Sequence, residues 1–136
     1  MPDLGSTEIT MLWASALLGV IYLLAAVIPT VLARGLPWAV GPRDEPGAAI
    51  GKVAARLDRT WKNFVETFPL FVAAILVEAQ VPQDSDLAAL GAQLYFWGRV
   101  AFLPLYAIGV PYLRTIVWTV ALAGIAMVLL AALPGI

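Results

Sequence analysis

Residues 59–71 read RTWKNFVETFPLF, which sets Arg59, Asn63 and Glu66, followed by Pro69, at the start of a stretch otherwise apolar enough to enter a bilayer. At about 100° per residue the three polar groups fall within an arc of roughly 60° on a helix, with Arg56 beside them. An ionisable side chain at mid-bilayer costs at least about 2.5 to 3.5 kcal/mol, so such groups pair, face a packed interior or mark a site. The run therefore predicts a membrane helix with one polar face whose side chains can converge on a ligand.

The rest of the chain agrees with a membrane setting. Of its 136 residues 62% are hydrophobic and 12% charged, an apolar fraction well above that of a soluble domain. At this length a single all-α, integral-membrane four-helix bundle over residues 1–136 accounts for the whole chain. The net charge of −1 and the lack of a basic tail suggest neither a nucleic-acid partner nor an electrostatic surface anchor. Cysteine and histidine are both absent. That removes disulfides, thiolate nucleophiles, imidazole bases and the usual transition-metal ligands, so no metal is expected and any thiol must arrive with a substrate. The first apolar segment carries Asp3 and Glu8 in place of a basic leader and is expected to stay as an anchor.

Four segments are long enough to span, given a need for about 20 apolar residues each. Helices are expected over about 9–33, 52–79, 87–108 and 112–133. Pro29 near the end of the first should kink it or be accommodated by neighbours. Residues 34–51, rich in Gly, Pro and charge, read as a loop, with Trp38 suited to the membrane interface. The second helix is polar in its first turns and apolar from Phe68 through Val77. Asp86 is the expected cap of the third, and Pro111 suits the first position of the fourth. Arg34, Arg43, Lys52, Arg56, Arg59 and Lys62 cluster around the first connection and Arg114 adjoins the third. The positive-inside rule then puts both connections in the cytosol and both termini outside it.

Arg99 and Tyr106 lie seven residues apart and share a helix face, about 10 Å apart along the axis. Two readings of Arg99 stand: a ligand contact, or a charge that balances Glu66 within the bundle. Arg114 falls in the first turn of a helix, where the dipole disfavours a cation. A helix N-terminus plus a guanidinium is a place to hold an anion; the other reading is a cytosolic anchor that snorkels to the surface. Lys62 has i,i+4 spacing to both Asp58 and Glu66, as ordinary surface pairs do. Several guanidiniums, one carboxylate, an amide and a phenol together suit a small peptide-like zwitterion, its carboxylates on the arginines and its amine on Glu66.

The ordered set of Arg59, Asn63, Glu66 and Pro69, then Arg99, Tyr106 and Arg114, resembles the MAPEG family, membrane-associated proteins in eicosanoid and glutathione metabolism. The pattern R-x-x-x-N-x-x-E-x-x-P-x-F is similar to the leukotriene synthase and microsomal glutathione transferase branch. The resemblance implies a homotrimer with glutathione as co-substrate between subunits near the cytosolic face. It assigns glutathione binding to Arg59, Asn63 and Glu66, assisted by Arg99 and Tyr106, with Arg34 as a further carboxylate contact. Arg114 corresponds to the thiol-activating arginine, and a cation beside a thiol favours the nucleophilic thiolate. Two positions depart from the pattern: Phe102 stands where several catalytic members have a tyrosine or histidine, and Trp61 is bulkier than expected and would reshape the pocket.

The resulting expectation is a glutathione transferase or glutathione-dependent peroxidase for lipophilic electrophiles that enter from membrane lipid. Phe102 favours a lipid-binding or scaffold protein without turnover instead. A proton-coupled transporter working through Glu66 is the third reading.

Overall fold

The computed structural model describes residues 6–82 and 84–133, so Asp3 lies outside the described residues. It is all-helical among them: α1 Thr7–Arg34, the short α2 Leu36–Val40, α3 Gly51–Glu78, α4 Asp86–Ala107 and α5 Pro111–Ala131. α1 begins earlier than its apolar run because Ser6 is extended and its hydroxyl accepts from the Ile9 amide at 3.2 Å, satisfying one of the helix's free donors. The cap of α4 is Ser85, not Asp86: its Oγ accepts from the Ala88 amide at 3.2 Å, leaving Asp86 in the first turn. Pro111 opens α5 as its position suggests.

The expected loop after α1 contains a helix of its own. Gly35 adopts φ 90°, ending α1, and Pro37 stands in the first turn of α2, where proline has the right φ and lacks only an amide that a first turn cannot use. Trp38 Nε1 then donates to the Glu45 carbonyl at 2.8 Å, folding the rest of the segment back.

Among the described residues three helices, α1, α3 and α5, are long and apolar enough to cross a membrane. The sequence reading expects four. α4 falls short because Gln93 and Arg99 interrupt its apolar residues. α3 and α4 each touch both α1 and α5, whereas α1 and α5 do not pack on one another. α3 and α4 are therefore the central pair.

The interior divides along the helix axes. At one end Phe71, Ala74 and Ile75 of α3 meet Ala92 and Tyr95 of α4 and Ala121, Ile125 and Val128 of α5. Phe71 and Tyr95 stack at 4.1 Å between centroids, and the Tyr95 hydroxyl is 3.2 Å from Thr67 Oγ1. At the other end Leu18, Tyr22, Phe64 and Phe102 form a second cluster. The Tyr22 hydroxyl donates to the Arg99 carbonyl at 2.5 Å, tying α1 to α4. Gly19 lets the Phe64 ring approach, since a Cβ there would lie 2.8 Å from it.

The α4–α5 crossing depends on two facing glycines. A Cβ on Gly91 would come within 2.6 Å of the Gly124 carbonyl, and one on Gly124 would strike the Gly91 carbonyl. Both obstacles are backbone, so neither can move aside as a flexible side chain could. Gly124→Ala is expected to lower stability by about 1–3 kcal/mol through overpacking, read as a lower thermal midpoint of the detergent-solubilised protein.

Candidate functional site

The end of the molecule that carries the polar half of α3 also holds the C-terminus of α4 and the N-terminus of α5. The turn between those two helices is held from α3. Gly109 sits at φ 81° with the Arg56 guanidinium against it, and Arg56 Nη1 donates to the Ala107 carbonyl at 3.3 Å. Arg56 thus supplies a donor to the free carbonyls at the end of α4. Three residues after Pro111, Arg114 turns back toward α4.

Tyr106 is the meeting point. Its ring lies 4.5 Å from the Arg114 guanidinium carbon and 5.8 Å from that of Arg59, and its hydroxyl accepts from Arg59 Nε at 3.0 Å. Arginine only donates, so the tyrosine keeps its own O–H for another acceptor. Cation–π contact of this kind is worth about 0.5–1 kcal/mol at an exposed site and more when desolvated. That contact compensates for the unfavourable helix dipole at Arg114.

Deeper, Arg99 is fully buried. Its Nη1 donates to Asn63 Oδ1 at 2.7 Å, and its guanidinium carbon lies 4.5 Å from the Phe102 ring, 5.2 Å from Tyr22 and 5.4 Å from Phe64. Nε and Nη2 have no hydrogen-bond partner. The expected alternative in which Arg99 balances Glu66 is not what the chain adopts. The acceptor is Asn63, and Glu66 forms no ion pair. Lys62 pairs with Asp58 at 3.0 Å, the one salt bridge among the described residues.

Asn63, Tyr106 and Arg114 line a cavity of about 210 Å³ with Phe102, Thr115 and Trp118. Arg59 reaches its edge through Tyr106, and Arg99 stands behind Asn63. Glu66 does not line the cavity; it is exposed on the same helix as Asn63, as is Arg59. Arg34 is elsewhere. Its Nε donates to the Ala48 carbonyl at 2.9 Å and its guanidinium lies 4.7 Å from the Trp38 ring, in a separate cavity of about 290 Å³ shared with Arg43, Asp58 and Trp61. Trp61 points away from the Asn63 cavity, toward α1. It also borders an apolar groove of about 250 Å³ that includes Val20, Leu23, Phe64 and Phe68.

Two wall residues, Thr115 and Trp118, were missed by sequence reasoning. Their signal was available: Thr115 adjoins Arg114, and Trp118 lies one turn further along the same face. The Trp118 Nε1 is buried without a partner, whereas buried indole N–H groups normally find one. No group of three or more carboxylates, imidazoles or thiols capable of holding a metal occurs among the described residues.

The sequence model of the MAPEG family matches residues 11–134, nearly the whole chain. No curated protein and no solved structure matches it.

Asn63→Leu removes the hydrogen-bond acceptor that the described residues give the buried Arg99 cation. It is expected to cost at least about 1.5–3 kcal/mol, the scale of a hydrogen bond to a charged group, measured as a fall in thermal or denaturant midpoint in detergent.

Proposed function

This chain belongs to the MAPEG family, membrane proteins of eicosanoid and glutathione metabolism, and from that membership we propose that it is a glutathione transferase or glutathione-dependent peroxidase acting on lipophilic electrophiles. The observation that carries the reading is the placement of Arg114 over Tyr106 at 4.5 Å, in the wall of a cavity it shares with Asn63. In this reading the Arg114 guanidinium lies beside the glutathione sulfur and favours its ionised form. Each unit by which a thiol falls below its usual pKa of about 8.5 corresponds to about 1.4 kcal/mol of preferential interaction with the thiolate. The tripeptide is oriented by Arg59, Asn63, Glu66 and Tyr106, with Arg99 behind Asn63.

Transfer then forms a carbon–sulfur bond while the electrophile's leaving group departs or its strained ring opens. The acceptor must reach the sulfur on the Arg114 side of α3, where Phe102 and Trp118 supply apolar surface in the cavity wall. Arg59 and Glu66 stand exposed on one side of α3, and a neighbouring subunit against that side would enclose them. Family membership is the ground for a homotrimer with the ligand between subunits, to which Arg34 of a neighbouring chain adds a carboxylate contact. The basic residues around this end favour a cytosolic site with both termini on the opposite side of the membrane.

Phe102 favours a second reading, because it puts an apolar ring in the cavity wall: a lipid-binding protein of the same fold without turnover. The two readings separate on a glutathione titration of the purified protein in detergent, followed by ultraviolet thiolate absorbance. A transferase gives a saturable thiolate signal in the wild type. Arg114→Ala abolishes that signal and lowers turnover by about a hundredfold or more, the scale of losing one preorganised charge-stabilising donor. No thiolate signal in the wild type would sink the enzyme reading.

A further inference from the structure

We propose that Arg99 is a positioning residue whose bond to Asn63 fixes the amide so that its Nδ2 faces the ligand cavity, making Asn63 a donor to an anionic or carbonyl oxygen of glutathione. The argument starts from what each group is able to do. A guanidinium has five N–H donors and no acceptor, so the Asn63 atom 2.7 Å from Arg99 Nη1 must be the carbonyl oxygen. Turning the amide over would set two donors against each other beside a cation. With Oδ1 committed, the polar atom left to Asn63 is its NH₂ group, and Asn63 lines the cavity.

Arg99 itself is 0% exposed. It cannot touch a ligand without a rearrangement of three helices, because Tyr22, Phe64 and Phe102 surround its guanidinium. Its influence therefore passes through Asn63. The neighbouring cavity groups have the same polarity: the Tyr106 hydroxyl is left to donate once it accepts from Arg59 Nε, and Arg114 only donates. No carboxylate lines this cavity. An acceptor-rich part of the ligand fits here, and its ammonium group belongs outside, toward Glu66.

The proposal rests on the reading of glutathione as the ligand, and Asn63→Asp tests the two separately. Aspartate keeps an oxygen toward Arg99 and gives the buried cation a full counter-charge, but it replaces the NH₂ donor with a second oxygen. The expected outcome is a thermal midpoint at or above wild type together with glutathione binding roughly ten- to a hundredfold weaker, the scale of a hydrogen bond to a charged group. Arg99→Lys, which retains one donor to Oδ1, is expected to recover binding relative to Arg99→Met. Wild-type affinity in Asn63→Asp would overturn the assignment, because the variant lacks the NH₂ donor on which it rests. If the wild type binds no glutathione, the enzyme reading fails while the midpoints still decide the Arg99–Asn63 arrangement. There, additive losses in Arg99→Met, Asn63→Leu and the double variant would overturn it.

Discussion

Arg99 imposes the strongest constraint on this molecule. A guanidinium at 0% exposure, without a carboxylate partner, is expensive to hold in a low-dielectric interior. The chain offsets that cost with one charge-assisted hydrogen bond to Asn63 and with the rings of Tyr22, Phe64 and Phe102. Those partners come from α1, α3 and α4, so accommodating this one charge requires three helices to meet at one level. The Tyr22 hydroxyl adds a bond to the Arg99 carbonyl itself. Fold and candidate site share these contacts, and a change to one is felt in the other.

A second constraint brings α5 into place. Gly91 and Gly124 let α4 and α5 approach backbone to backbone, and Gly98 accepts Ala121 beside it. Close approach through small residues is the usual way helices gain packing contacts where lipid removes the hydrophobic drive between them. At the near end of this pair the Gly109 turn, braced by Arg56, returns the chain so that Arg114 covers Tyr106. The polar cavity is thus set by glycines that never touch it.

α3 separates two environments. Its Asn63 side faces the donor-lined cavity toward α4 and α5, while its Trp61 side faces the apolar groove toward α1. A residue offset of two along a helix turns a side chain through about 200°, and this periodicity removes Trp61 from the pocket it was expected to reshape.

The sequence by itself determined the helical class, the membrane setting, the limits of the four long helices to within about two residues and the polar face of α3, but not α2. All of these follow from local rules: apolar length, 3.6-residue periodicity, capping and proline chemistry. It also marked Arg59, Asn63, Tyr106 and Arg114 as groups able to converge, because charge in an apolar segment is rare enough to be informative. Tertiary structure alone decided which groups pair. Asn63 and Glu66 lie within about 60° of one another on α3, yet Arg99 bonds the amide and leaves the carboxylate exposed. Arg34 lies within one chain beside Trp38 and not with Arg59, Arg99 and Arg114, because the α2 turn draws it there. Distances between helices depend on which small residues face one another, and no periodicity within a single helix encodes that.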